Sequence, residues 1–564
     1  MGQWDLVGLS GVSAMHGTLI PNTNRIVFLE KVQKSSNAYL PDDTSKYSWS
    51  VEYDIGEATF RSLHTKTNLF CSAGGYRPDG TIISLGGAEA QADIAKGWNS
   101  LRFLSACSNA TTSKCDWDIR DDITLKAGRW YPTVEALADG RLFIIGGSSR
   151  GVSMNSEEVG VPSWELYPPL PSNPTHFPFL LETLPYNLYP MVHLMPDGNL
   201  FIFANTRAVL FSTKTWSIIK NYPELPGPPR NYPLSGGSIL LPLRPENNYE
   251  PEVLICGGAT DFSSRAKGQD QCGRIKPLSE DPDWIMEDMP FGRMMPDLVI
   301  VPDGSVLIFN GANKGTAGYG RAKEPVLQPL RYQPWDSDET KQANTRFMAQ
   351  SPSYIPRLYH SIAMPVLDGR VLVTGSNPNA NSMDWGEFPV EFRVEMFSPG
   401  YLFADVPRPL LKAETTIGRT IHQPSALTVL EVQVAKQSPE RGQGDGDTNE
   451  NVISYDTEFE IEVEFYASVM TESQVVTPKG NPGNYTPSRV QVSLLNGGFS
   501  THSTHMSHRL VGLEIVGYKR TPGALDRLKV KGPKNSALAP PGWYQMTVVE
   551  NGVPSEGTWI RILQ

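Results

Sequence analysis

The chain has 564 residues with a formal net charge of -11 and an isoelectric point near 5.4. It is long enough for two domains and too acidic to favour nucleic acid or an anionic lipid surface as partner. No run approaches the roughly 18 apolar residues a membrane-spanning helix needs. The opening MGQWDLVGLSG lacks the charged-then-apolar pattern of a signal peptide, and Leu6 stands where a myristoylation signal requires Ser or Thr.

A turn followed by an apolar run recurs along the chain. It reads PNTNRIVFLE from Pro21, DGTIISLGG from Asp79, DGRLFIIGG from Asp139 and DGNLFIFAN from Asp197. It continues as EPEVLICGG from Glu250, DGSVLIFNG from Asp303 and DGRVLVTGS from Asp368. Asp-Gly supplies a hairpin turn with positive φ, the β-branched and aromatic run that follows is a buried strand, and the glycine pair lets backbones crowd near an axis. Seven copies at a kelch-like period predict an all-β fold over residues 1–395, a seven-bladed kelch-type β-propeller whose loops at one end of the channel carry function. No long amphipathic helical stripe separates the runs, which argues against a barrel or a doubly wound sheet.

The five cysteines fall within this region. Cys107 and Cys115, and Cys256 and Cys272, are spaced as short local disulfides or as two pairs of free thiols; disulfides predict a secreted protein. Sequons at Asn109 and Asn484 point to glycosylation and to the same compartment. Secretion is expected, with the leader removed from this chain. Cys71, in NLFCSAGG, has no cysteine left to pair with.

The repeat stops after residue 376, and from Phe392 the sequence changes to short alternating strands ending in GWYQMTVVENGVPSEGTWIRIL. This predicts an immunoglobulin-like β-sandwich over residues 396–564, with the polar stretch 436–451 as a mobile loop. Sialidase-type Asp boxes, a nucleophile elbow, a P-loop and an H-E-x-x-H helix are all missing, so those hydrolase classes lose support. What remains is Tyr359 and His360 in PRLYHSIAMPVLDG, and His502, His505 and His508 in THSTHMSHR. Imidazole nitrogens with phenol oxygens suit Cu(II). A Tyr-His pair beside a strand is, however, more often structural than catalytic, and a histidine cluster on a turn is usually solvated.

Taken together, NLFCSAGG, GRWYPTVEALADGRLFIIGG with Tyr131, RLYHSIAMPVLDGRVLVTGSNPN and STHSTHMSHR resemble the copper radical oxidases, the glyoxal oxidase and galactose oxidase family, over nearly the whole chain. The resemblance implies one copper ion bound by Tyr131, Tyr359, His360 and His502, the last supplied by the C-terminal domain, with His505 as the fallback. It implies a thioether between Cys71 and Tyr131 as a protein-derived radical cofactor, with Tyr359 as axial tyrosine and general base. Gly146 and Gly147 are followed by Ser148, Ser149 and Arg150, so the tryptophan that covers the thioether in galactose oxidase is missing from that position.

GSNPN, MMPDLVIVPDGSVLIFNGANKGTAGYG and the absence of a carbohydrate-binding domain before the first repeat lean toward glyoxal oxidase. The expected reaction converts glyoxal, methylglyoxal or glyoxylate, as hydrates, to carboxylic acids while O2 becomes H2O2, with H2O2-using peroxidases as functional partners and the chain as a monomer. A primary-alcohol or galactose oxidase on the same scaffold is the alternative within the class. A non-catalytic kelch-type binding propeller is the alternative outside it.

Overall fold

The computed structural model describes residues 1–33, 37–107, 115–151, 155–334, 346–380, 386–411, 451–465, 475–477, 489–520 and 525–563. Asn109, Asn484 and all but the last residue of the polar stretch 436–451 lie outside the described residues.

Every apolar run of the repeat forms a strand: Arg25–Leu29, Ile82–Leu85, Leu142–Ile145, Leu200–Ala204, Val253–Cys256, Val306–Phe309 and Val371–Gly375. They read as continuous apolar runs because they are buried on both faces. The Asp-Gly glycines ahead of them take φ from 81° to 90°, as at Gly80 and Gly140, where a Cβ would be strained.

Five of the runs lie in separate four-stranded antiparallel sheets. One comprises Ala73–Tyr76, Ile82–Leu85, Ser100–Leu104 and Asp118–Thr124. Another is completed by the N-terminal strand Gln3–Leu9, which pairs antiparallel with Arg393–Ser398 and so ties the start of the propeller-like region to its end. The other two runs, Arg25–Leu29 and Val253–Cys256, belong to a single ten-stranded sheet. Five separate blade-like sheets thus stand where the repeat predicts seven blades.

The ten-stranded sheet is joined in its middle by a hairpin from the C-terminal part of the chain. Phe499–Thr501 pairs antiparallel with His16–Ile20, and Thr504–Met506 pairs parallel with Gly237–Leu240. The hairpin and the residues after it also touch inner strands of other sheets. Ser507 N–H donates to Glu135 Oε2 (3.0 Å), Ile300 N–H donates to His508 Nε2 (2.9 Å), and Arg509 Nη2 donates to the Leu194 carbonyl. Phe499 lies so close to Gly74 that a Cβ there would sit 2.4 Å from its ring. The first glycine of NLFCSAGG is therefore required by the hairpin that fills the axis.

From Leu410 onward the described strands other than this hairpin form a nine-stranded sheet curled into a β-sandwich around Ile461, Val492, Leu494, Val511, Leu528 and Val548. This core is continuous with propeller residues such as Phe201, Leu243 and Ile255, so the two parts bury apolar surface against each other. Both cysteine pairs are disulfides. Cys256 and Cys272 face each other directly across two adjacent strands.

Candidate metal centre

The site grows from one repeated backbone feature. Just before the first strand of six strand groups stands a residue in the left-handed region: Cys71 (φ 52°), Tyr131 (61°), Tyr189 (47°), Ser235 (48°), Met295 (53°) and His360 (64°). Such a conformation costs a non-glycine residue about 1–3 kcal/mol and persists only where its surroundings enforce it. Here neighbouring groups hold each other: Tyr131 N–H donates to the Cys71 carbonyl (3.0 Å), Tyr189 N–H to the Tyr131 carbonyl (3.0 Å) and Met295 N–H to the Ser235 carbonyl (2.7 Å). Buried arginines brace the same loops. Arg102, Arg129 and Arg357 each donate through Nη1 to the carbonyl of a glycine closing the second strand, at Gly86, Gly146 and Gly375.

Three of these positions carry the side chains singled out by the sequence. Cys71, Tyr131 and His360 converge with Tyr359 and with His502 from the hairpin, and all five are buried. One ligand atom each from Cys71, His360 and His502 lies within 4.8 Å of the others. Cys71 Sγ is 3.3 Å from His502 Nε2, and Tyr131 Oη is 3.4 Å from Tyr359 Oη. The His502 ring meets those of Tyr131 and Tyr359 edge-on at 5.6 and 5.5 Å. Cys71 is in no disulfide and lies against the Tyr131 phenol.

Both imidazoles are oriented from behind. His360 Nδ1 donates to the Asn377 carbonyl (3.0 Å), which leaves its Nε2 as a buried acceptor with no partner. His502 Nδ1 is bonded to Thr501 Oγ1 (2.6 Å), which turns Nε2 toward Cys71. Metal-ligating histidines are held in this way, with the second ring nitrogen fixing tautomer and direction. Burial holds both imidazoles well below their ordinary pKa, so both are neutral; each is pushed further by another imidazole, His502 acting on His360 and His16 on His502. Burial likewise pushes the Cys71 thiol and the Tyr131 and Tyr359 phenols up. A dication beside the phenols reverses that preference by stabilising phenolate. Two imidazole nitrogens, one of them the orphaned Nε2 of His360, and two phenol oxygens make a donor set that fits copper.

His505 and His508 do not join this cluster. His505 Nε2 bonds Ser500 Oγ (3.0 Å) and His508 Nδ1 bonds the Asn496 carbonyl (2.7 Å), so both serve the hairpin's own packing. The choice lies in the turn, where His502 and Ser503 take φ of 46° and 65°. Two successive left-handed residues make the tight hairpin turn usually given to Asn-Gly, and His502 is at its tip.

One residue at the centre escaped the sequence reading. Tyr232 stacks on Tyr131 with ring centroids 4.6 Å apart and planes at 28°. Its hydroxyl is 3.0 Å from Tyr359 Oη and 3.3 Å from Tyr131 Oη. It covers the Tyr131 ring where no tryptophan follows Gly147, and Trp130 leans on the same ring at 4.9 Å and 44°. A signal was present: Arg230 to Pro233 repeats the Arg-x-Tyr-Pro of Arg129 to Pro132.

The glyoxal oxidase N-terminus family model matches residues 15–401, and the galactose oxidase-like early set domain matches residues 447–562. The chain belongs to the glyoxal oxidase family. It is 34% identical to the aldehyde oxidase GLOX of Vitis pseudoreticulata over 587 aligned residues, covering 100% of this chain and 97% of that protein. It is 35% identical to aldehyde oxidase GLOX1 of Arabidopsis thaliana, covering 100% of this chain and 85% of that protein. Its fold matches that of a fungal alcohol oxidase of the AA5 family solved in complex with copper, at a TM-score of 0.69 and 15% identity, with both chains covered completely. This family member is thus an oxidase of the copper radical class.

Proposed function

We propose that this oxidase acts on small aldehydes as their hydrates, with copper held by Tyr131, Tyr359, His360 and His502 and with Cys71 joined to Tyr131 by a thioether. What supports the reading is the single buried cluster these five side chains form at the propeller axis, in a chain whose relatives are aldehyde oxidases. The overall reaction is R–CH(OH)2 + O2 → R–COOH + H2O2.

The oxidation removes two electrons from one carbon. Copper, held by Tyr131, Tyr359, His360 and His502, would supply an acceptor for one of them, with O2 as the final oxidant. Tyr131 accounts for the other: a sulfur substituent beside its phenol oxygen donates electron density and spreads unpaired spin, so that a radical on this ring forms more easily and lasts. Tyr359 takes the substrate's hydroxyl proton as general base, and Tyr131 takes the hydrogen atom from the carbon. Burial of all five groups keeps bulk water away from the radical, and Tyr232, stacked on the ring, shields the face that the missing tryptophan would have covered.

The two four-stranded groups inside the ten-stranded sheet count, in this reading, as two further blades, giving a seven-bladed propeller over 1–395 and an immunoglobulin-like domain over 396–564. The family matches at 15–401 and 447–562 support that division. Two disulfides favour an extracellular enzyme, which in this reading is a monomer whose H2O2 serves peroxidases. No helix among the described residues is long and apolar enough to cross a membrane. The test is H2O2 release from copper-loaded protein over methylglyoxal, galactose and benzyl alcohol. Turnover of methylglyoxal far above the other two is the expected result, and turnover confined to galactose would overturn the aldehyde assignment.

A further inference from the structure

A cavity of about 380 Å³ opens beside the centre, with Tyr232 in its wall. Tyr232 is hydrogen-bonded to the phenols of Tyr131 and Tyr359, so this cavity abuts the groups that handle the reacting carbon. Its volume is that of a small-molecule site. One cation lines it. Arg321 donates from Nε to Thr316 Oγ1 (2.8 Å), and its guanidinium carbon lies 4.1 Å over the centroid of the Phe262 ring. Among the described residues it has no carboxylate partner. The guanidinium is therefore held by one hydrogen bond and one stacked ring, while its two terminal nitrogens meet no hydrogen-bond partner among the described residues and are left for a ligand. In the same wall, Asn155 Oδ1 and Ser156 Oγ are buried without partners among the described residues, and buried polar atoms are ordinarily satisfied. An arginine held this way on a protein of net charge -11 matches a planar carboxylate, which it grips with two parallel hydrogen bonds.

We infer that Arg321 is a specificity-determining residue of this cavity: among the expected aldehydes it selects those that also bear a carboxylate, by holding that carboxylate. The inference rests on the aldehyde oxidase reading. A two- or three-carbon aldehyde acid spans the site, with its hydrated aldehyde at Tyr359 and its carboxylate at Arg321; Asn155 and Ser156 meet its remaining polar atoms. For the smallest such substrate the balance is (HO)2CH–COO⁻ + O2 → HOOC–COO⁻ + H2O2, the aldehyde carbon losing two electrons and two hydrogens to O2. Holding the carboxylate away from the metal side also keeps an anionic substrate from binding through the wrong end.

The experiment compares glyoxylate with methylglyoxal, which is similar in size but uncharged, in wild type, Arg321→Met and Arg321→Lys. A charged hydrogen-bonding group is worth about 10- to 100-fold in affinity, so the ratio of kcat/KM for glyoxylate over methylglyoxal falls about 10- to 100-fold in Arg321→Met, through KM. Arg321→Lys recovers part of the ratio. In parallel, oxamate, an unreactive carboxylate of the same shape as glyoxylate, is titrated into copper-free protein by NMR. It binds the wild type, and Arg321→Met weakens that binding by a similar factor. An unchanged substrate ratio, or oxamate binding that is absent or indifferent to Arg321, overturns the inference. Wild type that binds oxamate through Arg321 yet releases no H2O2 from either aldehyde would instead contradict the oxidase reading while leaving the cavity's preference standing.

Discussion

The two imidazoles of the centre reach it by different routes. His360 occupies a position that the propeller offers again and again, the left-handed residue before a first strand, where Tyr189, Ser235 and Met295 stand in other sheets. His502 rides on a hairpin from a separate part of the chain, inserted between His16–Ile20 and Gly237–Leu240. The blade position is held by neighbour-to-neighbour backbone bonds and buried arginines. The hairpin depends on side chains: Phe499 against Gly74, Thr501 behind His502, and a shell of buried histidines. The blades give a rigid address that many residues could occupy, whereas the hairpin delivers one ligand and can be unseated alone.

Acid should separate the two most strongly. His16, His193, His505 and His508 surround the hairpin, and burial lowers each to about 3. They stay neutral in the folded protein, while the unfolded chain binds protons below about 6.5, so stability is lost as pH falls from 6.5 toward 3. The slope is about 1.4 kcal/mol per pH unit for each histidine. Glu135 and Asp297, facing the same segment, are pushed up to about 7 and about 8 by burial. The fold keeps their protons above the usual carboxylate range, so they lower stability as pH rises from about 4.5. Urea denaturation of copper-free protein should therefore show a shallow decline between pH 6.5 and 4.5 and a steep one below. A flat profile would mean that the histidines titrate freely.

Phe499→Ala should cost about 3–5 kcal/mol by emptying a buried site, and copper affinity should fall with it because the His502 turn loses its seat. Chemical denaturation with and without copper checks this: loss of stability with unchanged copper binding would mean the hairpin is not what positions His502. Thr501→Val removes the group behind His502 Nδ1 and should lower copper affinity about 10- to 100-fold, measured by competition with a chelator, while thermal stability moves little. Ser503→Gly has the smallest expected effect. It relieves a left-handed residue in the turn and should stabilise the protein by up to about 1 kcal/mol, read as an increase in Tm.

The contrast between blade and hairpin also explains what the sequence made legible. All seven repeat runs are strands because Asp-Gly turns and doubly buried β-branched segments are local signals. Cys71, Tyr131, Tyr359 and His360 stand in the same short repeat motifs. The insertion of Phe499–Met506 into a propeller sheet has no local signature, since it pairs residues nearly 500 positions apart such as His16 and Thr501, and it merges two strand groups that the repeat alone presents as separate. In the sequence only the resemblance singles out His502 over His505 and His508, and the physical reason for the choice lies in the backbone of the turn, which no local sequence signal announces. Tyr232 and Arg321 were missed for a related reason: each acquires its role only through partners from distant loops, Tyr131 and Tyr359 for the one and Phe262 for the other.

The central claim is that Cys71, the cysteine without a cysteine partner, is bonded to Tyr131. Proteolysis of copper-loaded, aerated protein followed by mass spectrometry tests it most directly. The account predicts one linked peptide pair containing Cys71 and Tyr131, lighter by two hydrogens than the sum of the separate peptides and absent from a Cys71→Ser variant that still folds. Recovery of the two peptides unlinked, with Cys71 open to alkylation after copper and O2 exposure, would contradict it.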